Sequence, residues 1–166
     1  MSVSDSLNRF GKRVVKEART ALTKKKKNAS KELYNSISYD FKEYKNSFHL
    51  AINMADYGKF IDKGVQGKKD NSKAPRSPFK YTNKRPPAKV FDKWSIKRGI
   101  APRNKKGQFT SRKAVNFAIA NAVYNYGIEE TLFLTKPFES AFKSLPDEII
   151  EAYGLEVDKF LSDVTV

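Results

Sequence analysis

Few side chains in this sequence have the type and spacing that catalysis or metal binding requires. Asp56 and Asp62 are six residues apart around an apolar turn, and Glu129 and Glu130 are adjacent. Paired carboxylates can hold the hard cations of a nuclease, but neither spacing requires these side chains to meet. The single histidine, His49, has no neighbouring carboxylate to orient it. The chain contains no cysteine, which excludes disulfides, thiolate metal sites and cysteine nucleophiles.

A phosphate-binding loop is the second chemistry to test. The segment GVQGKKD, residues 64–70, contains two glycines followed by two lysines. Nucleotide-binding loops cradle phosphates on backbone amides with the pattern G-x-x-x-x-G-K-[ST]. The glycines here have another spacing, and no Ser or Thr directly follows the lysines. We therefore expect a protein without enzyme activity, cofactor or metal.

The charge is strongly positive and unevenly distributed. The chain has 33 Lys and Arg against 18 Asp and Glu, a formal net charge of +15. Residues 59–113 hold eighteen basic side chains against three acidic ones, whereas residues 129–166 hold three against nine. This pattern suits either a polyanion such as nucleic acid or head-to-tail packing of identical subunits. Because the sequence has neither a membrane-spanning apolar run nor a signal peptide, we expect the protein to stay in a cytoplasm until something else carries it away.

Hydrophobic periodicity predicts an α+β fold, in which a small antiparallel β-sheet is packed by a long N-terminal helix and C-terminal helices. An apolar stripe from Leu7 to Leu22 predicts the first helix, with Ser4 as its N-cap. Alternation over residues 36–41 and 48–54 predicts a β-hairpin with His49 on its polar face.

Two further helices are predicted after a long loop. In the first, near residues 88–99, Val90, Phe91 and Trp94 share one side. The second begins after Ser111 as N-cap and ends at Gly127. Its predicted apolar face consists of Val115, Phe117, Ala118, Ala122, Val123 and Tyr126.

The C-terminal part reads as a strand followed by helices. Residues 132–134 predict a short strand, and Pro137 then opens a helix that Pro146 interrupts. After Pro146, an apolar face is predicted for a last helix. It consists of Ile149, Tyr153, Val157, Phe160, Leu161 and Val164.

Residues 67–89 predict an extended basic arm within a single domain of residues 1–166. The segment has four prolines and little apolar content, and irregular loops of this length are functional or disordered. A second basic loop follows at residues 101–109. We expect both loops to contact a partner or DNA through charge, without reading bases. The candidate contact residues are Lys68, Lys69, Arg76, Lys80, Lys84, Arg85, Arg103, Lys105 and Lys106.

Four motifs occur in an order that resembles a known family. INMADYGKFIDKGVQGKK combines a strand with a Tyr-(Ala/Gly)-x-x-(Val/Ile)-(Glu/Asp)-x-Gly turn of helix. KWSIKRGI and AVNFAIANAVYNYGI combine a Trp helix, a basic turn and an FAIA helix, and TKPFESAF supplies a Pro-Phe near the start of the last helix. With the long leading helix and the hairpin, which stand in the family's order, the resemblance covers residues 1–164 and is to the tail-completion, or head–tail joining, proteins of tailed-phage necks. Val65 stands where the family usually has Thr.

The resemblance implies structural roles for eight residues. Gly58 and Gly64 would serve backbone geometry at a corner, and Tyr57, Phe60 and Ile61 would pack that corner against the last helix. Asp62 completes the first motif, and Pro137 and Phe138 mark the second.

The function implied is that of a virion structural protein. Its copies would form a six- or twelvefold ring around the DNA channel, joining the portal or adaptor to the tail. Genomic DNA would be touched without specificity, and neither a membrane nor a small-molecule substrate would be involved.

Two alternatives remain open. A basic DNA-binding or DNA-packaging protein would contact phosphates without base readout and would show a steep salt dependence. A metal-dependent nuclease would need carboxylates that the fold brings together.

Overall fold

A computed structural model describes residues 3–28, 30–147 and 149–150 and confirms the α+β class. Helices and one hairpin follow one another along the chain. They are α1 (Val3–Lys24), α2 (Glu32–Ser36), β1 (Ser38–Tyr44), β2 (Ser47–Asn53), α3 (Gly58–Lys63), a 3₁₀ helix (Ala88–Phe91), α4 (Asp92–Lys97), α5 (Arg112–Tyr126) and α6 (Thr135–Phe142). No helix in the described part of the chain is long and apolar enough to cross a membrane.

The chain divides into two compact units, where the sequence suggested one domain with an arm. Unit 1 combines the described residues up to Asp62 with those from Leu132 onward, and unit 2 is Lys63–Thr131. Unit 2 holds seventeen Lys and Arg against four acidic residues, a net of +13, so nearly all of the excess charge belongs to it.

The core of unit 1 is built on the predicted stripe of α1. Leu7, Val14 and Leu22 are at most 1% exposed, and Phe10 packs edge-to-face on Phe138 of α6 with ring centroids 5.1 Å apart. The helix itself is therefore as predicted. Ser4 is not its N-cap, because α1 already includes Val3.

The position of the hairpin and the assignment of its apolar and polar faces are confirmed. Ser38 pairs with Asn53 and Tyr44 pairs with Ser47, which leaves a two-residue turn. The alternate residues Phe48, Leu50 and Ile52 of β2 pack against the core. His49 is exposed opposite Lys42, in agreement with the polar face that its register predicts.

The strand predicted at residues 132–134 is wrong. Leu132 has a left-handed φ of +52°, and α6 begins at Thr135. The reason is a long-range contact, because the amides of Leu132 and Leu134 both donate to Asp62, so the chain turns directly into the helix. Pro137 lies in the first turn of α6, as proline prefers.

The predicted apolar faces of unit 2 are not its buried faces. On α5 the buried residues are Asn116 and Ala120, whereas Phe117 and Tyr126 are each 49% exposed. The amide of Asn116 bonds to Asp92, and its oxygen accepts from the hydroxyl of Ser95, which is completely buried in α4.

These polar bonds orient the helices of unit 2. Val90 is 61% exposed and Trp94 40%, so the side of the helix that the sequence predicts for them is not a buried one. The ends of α5 are as predicted, since the Ser111 hydroxyl accepts from the amide of Ala114 and Gly127 follows the last turn with φ +73°.

Residues 67–89 form a hydrogen-bonded loop of unit 2, and not the free arm that we expected. The amides of Lys68 and Lys69 donate to the carbonyls of Tyr124 and Asn125. Within this loop Ala74 is fully buried. Prolines and charges suggested an arm, but backbone bonds to the end of α5 hold the segment.

The end of the chain was predicted to be helical after Pro146. α6 ends at Phe142, which agrees with an interruption before Pro146, and Ile149 is buried in the core of unit 1. The other apolar positions of that prediction, Tyr153 to Val164, lie outside the described residues.

Gly64 provides a test of the backbone in unit 2. It has φ +71°, and a Cβ there would lie 2.6 Å from the Ile128 carbonyl oxygen and 2.7 Å from the Glu130 amide nitrogen. Gly107 has a similar φ of +77° but open space around it. Gly64→Ala should destabilise the protein by more than Gly107→Ala, which bears only the backbone cost of about 1–2 kcal/mol. Urea denaturation of both variants measures the difference, and equal losses would contradict the crowding at Gly64.

Candidate interaction surface

The acidic residue of the first motif caps the last described helix of unit 1. Asp62, at the end of α3, is only 3% exposed. One carboxylate oxygen accepts from the amides of Leu134 at 2.8 Å and Thr135 at 3.1 Å, and the other accepts from the Thr135 hydroxyl. Residues at helix starts have unpaired amides, and a carboxylate there also complements the helix dipole. Asp62 thus works as an N-cap supplied from 72 residues earlier in the chain.

The carboxylate of Asp62, which caps α6, is also one of the two whose spacing in the sequence raised the question of a metal site. Both oxygens of Asp62 already accept hydrogen bonds, while Asp56 is exposed. Over residues 3–28, 30–147 and 149–150, no group of three or more His, Asp or Glu side chains could hold a metal ion.

The resemblance implies that Tyr57 packs against the last helix. In the structure the Tyr57 side chain is 38% exposed and lies close to Ser30 and Glu32. Burial raises the pKa of the Tyr57 hydroxyl, and the charge of Glu32 raises this pKa further. Tyr57 therefore belongs to the side of the corner that faces α2.

The two glycines of the motif serve different purposes. Gly58 has no room for a side chain, because a Cβ would lie 2.6 Å from the Met54 sulfur and 2.9 Å from Leu33 Cδ1. Gly64 in unit 2 combines such crowding with a left-handed backbone. The prediction of backbone geometry therefore applies to Gly64, whereas Gly58 is a site of close approach.

The remaining motif residues lie at the core of unit 1. Ile61 packs against the core, and Phe60 is half-buried beneath the ammonium group of Lys59, 5.5 Å from its ring centroid. Pro137 and Phe138 are both buried in α6. Phe138 thus belongs to the core of unit 1 and Ile61 packs against this core, while Asp62 supplies the hydrogen bonds to the start of α6.

The predicted contact residues all belong to unit 2 but lie in separate parts of it. Lys68 lies over the Tyr124 ring at 5.5 Å, and Arg76 faces Glu130 at 3.8 Å. Lys69 and Lys80 are exposed in the same loop. Arg103, in the second loop, lies 4.2 Å from the Phe109 ring centroid.

The second loop is a compact turn. Arg103 donates to the carbonyl of Gly107 at 3.0 Å, and Asn104 accepts from the amides of Lys106 and Gln108. Lys105 and Lys106 are exposed at its tip. The loop therefore presents charges on a fixed backbone.

Lys84 and Arg85 line an open groove of about 680 Å³ in unit 2. The Arg85 guanidinium bonds to Asn121 and lies 4.6 Å from the Phe117 ring centroid. The Tyr124 hydroxyl donates to the Thr82 carbonyl at 2.7 Å and so ties the groove's loop to α5. We call this the α5 groove; it is lined by Asn83, Lys84, Arg85, Pro86, Pro87, Ala88, Phe117, Asn121, Tyr124 and Asn125.

The α5 side of this groove is not among the contact residues that the sequence predicts. The sequence predicts an apolar face for Phe117 and no role for Asn121 or Asn125. The sequence does contain a signal for this face. Phe117, Asn121 and Asn125 are spaced by four residues, so they lie on one side of α5, and the apolar residues of this helix are not confined to a single side.

Exposed apolar side chains are concentrated in the same unit. Unit 2 supplies six of the eight large apolar side chains that the described residues leave exposed. These six are Val90, Trp94, Ile96, Phe109, Phe117 and Tyr126. Large apolar side chains exposed in such number on one unit are typical of a protein with an interaction surface.

No protein-family model matches this chain, and no curated protein or solved structure is significantly similar to it.

Removing the Asp62 carboxylate should destabilise unit 1. Asp62→Ala leaves the Leu134 and Thr135 amides and the Thr135 hydroxyl without their acceptor, and each buried unpaired donor costs about 1–3 kcal/mol. We expect a loss of at least about 2 kcal/mol in the free energy of unfolding, measured by urea denaturation.

The matched control is Asp56→Ala, which removes an exposed carboxylate six residues earlier and should change stability by less than about 0.5 kcal/mol. A loss in Asp62→Ala as small as in this control would contradict the capping role.

Proposed function

We propose that the protein is a non-enzymatic structural subunit of a tailed-phage neck, forming a ring that joins the portal or adaptor to the tail around the DNA channel. The observation that carries this proposal is the bond between the two landmarks of the resemblance. Asp62 of the first motif accepts the amides at the start of α6, which contains the Pro-Phe of the second. Motifs that were recognised separately in the sequence thus form one structural unit.

The charge distribution suits the same proposal. A heterologous interface, repeated around a ring, needs two different complementary surfaces on every copy. The basic unit 2 and the chain from residue 132 onward, which holds seven acidic side chains against three basic ones, provide charges of both signs. Head-to-tail contact would satisfy both.

A second candidate is a DNA-binding or DNA-packaging protein, and the groove favours it specifically. Lys84, Arg85 and the amides of Asn121 and Asn125 could line a phosphate backbone. The exposed aliphatic residues Val90 and Ile96 are not explained by phosphate contacts, so we place this candidate second.

Ring formation tests the first proposal. The purified full chain should assemble into closed rings of six or twelve copies as its concentration is raised. Native mass spectrometry gives the copy number, and negative-stain electron microscopy shows closure. Monomers alone up to the solubility limit, or an open-ended series of oligomers, would contradict the proposal.

DNA affinity separates the two candidates. For a neck subunit we expect weak, sequence-independent binding that disappears between about 50 and 200 mM salt, because released counterions drive such contacts. Fluorescence anisotropy with duplexes of two unrelated sequences measures it. Submicromolar binding that persists at the upper salt concentration, or a preference for one sequence, would favour the DNA-binding protein.

A further inference from the structure

A second groove lies in unit 1, between α1 and the elements that follow it. It has a volume of about 600 Å³ and is lined by one side of α1, by Tyr34 of α2 and by Tyr39 of β1. We call it the α1 groove. None of the residues that line it is acidic, whereas α1 contributes four cations, Lys12, Lys16, Arg19 and Lys24.

The four cations form a row along α1. Lys12, Lys16 and Arg19 are spaced by four and three residues, so they lie on one side of the helix, and the row continues for about 18 Å to Lys24. Like charges at these spacings destabilise a helix. None of these cations forms an ion pair with another residue that the structure describes. The row therefore lacks an anionic partner within the described fold.

Arg19 is held in a fixed orientation within this row. Its Nη2 donates to the carbonyl of Ile37 at 2.8 Å, and its guanidinium lies over the Tyr34 ring, 5.2 Å from the centroid. Its buried Nε has no hydrogen-bond partner among the described residues. Because a guanidinium binds a carboxylate most strongly when little of its freedom is lost on binding, Arg19 is a prearranged site for a carboxylate.

The apolar surface of the groove lies beside these cations. It is supplied by Val15, Tyr34 and Tyr39, together with the methylene groups of the lysines. The Tyr39 ring lies directly against α1, since a Cβ on Gly11 would be 2.5 Å from its Cδ2 atom. Each tyrosine ring thus has one face covered, Tyr39 by the helix and Tyr34 by the guanidinium of Arg19.

Charge and apolar surface together select the class of partner. A phosphodiester backbone would pair with the cations but would leave Val15 uncovered, and its bases would find no ring with both faces free. The net charge of +15 for the chain, less the +13 of unit 2, leaves unit 1 with only +2, so this unit has little general attraction for a polyanion. An amphipathic helix with acids three and four residues apart matches both the cations and the apolar surface.

We propose that the α1 groove binds an acidic, amphipathic helix of another protein. Its carboxylates pair with Lys12, Lys16 and Arg19, and its apolar side chains contact Val15 and Tyr34, all of which line the groove. A helix of about twelve residues matches the length of the row. The proposal rests on unit 1 alone and is independent of ring formation.

NMR spectroscopy of the isotopically labelled full chain locates the site. The probe is a synthetic peptide of about fourteen residues in which glutamate and leucine each recur at spacings of three and four. It should shift the amide signals of α1, Tyr34 and Tyr39 more than those of unit 2. A peptide of the same composition in scrambled order is the control. Shifts confined to unit 2, or equal shifts with the scrambled peptide, would overturn the proposal.

Charge reversal in the groove provides a second readout. Lys16→Glu should weaken the binding of the peptide about fivefold in fluorescence anisotropy, because one ion pair becomes a repulsion. The matched control is Lys45→Glu, which makes the same charge change in the exposed turn of the hairpin, outside the groove, and should change the affinity by less than about twofold. Equal effects of the two variants would contradict the assignment to the α1 groove.

Two further probes test the class of partner. A peptide with its leucines replaced by glutamine keeps every carboxylate and should bind at least about tenfold more weakly, because the apolar contacts are lost. Equal affinity would overturn the amphipathic partner. Single-stranded DNA of the same net charge should leave the shifted signals of α1 in place. Displacement of the peptide from α1 by this DNA would assign the groove to nucleic acid instead.

Discussion

The arrangement of unit 1 depends on the contact between the buried carboxylate of Asp62 and the start of α6. Asp62 is the last residue of the first segment of this unit, and Leu132, whose amide donates to the Asp62 carbonyl at 2.9 Å, is the first residue of the second. A carboxylate can be buried only where donors replace water, and the start of α6 supplies three of them. The bonds at this polar site oppose the loss of conformational entropy that closing the intervening chain requires.

The parts of the fold that could be predicted are those whose cause is local. The stripe of α1, the alternation of the hairpin and the caps Ser111 and Gly127 each depend on residues a few positions apart, and the structure has all of them. The turn at Leu132 depends on a residue seventy positions earlier, so the apolar run Leu-Phe-Leu read as a strand. The recognisable motif contained Asp62, but no local pattern indicates which amides it accepts.

The prediction of the buried face of α5 was wrong for a different reason. Apolar residues surround this helix, so hydrophobicity alone does not determine its orientation. The bonds from Asn116 to Asp92 and Ser95 determine it, since a buried amide without partners would be costly. Their result is that Phe117 is left half-exposed beside Arg85, which creates the candidate groove.

The way the aromatic rings of unit 2 are covered bears on what they recognise. Guanidinium groups lie over the rings of Phe117 and Phe109, at 4.6 and 4.2 Å, and an ammonium group lies over Tyr124. Such cations occupy a ring face on which a base would otherwise stack, while they hold their own charge at a defined place. The cations thus present their charge at fixed positions beside the rings. In the ring that we propose, each copy would repeat its contact with the next, so a contact that is weak in one pair would become strong once closure makes the last association intramolecular.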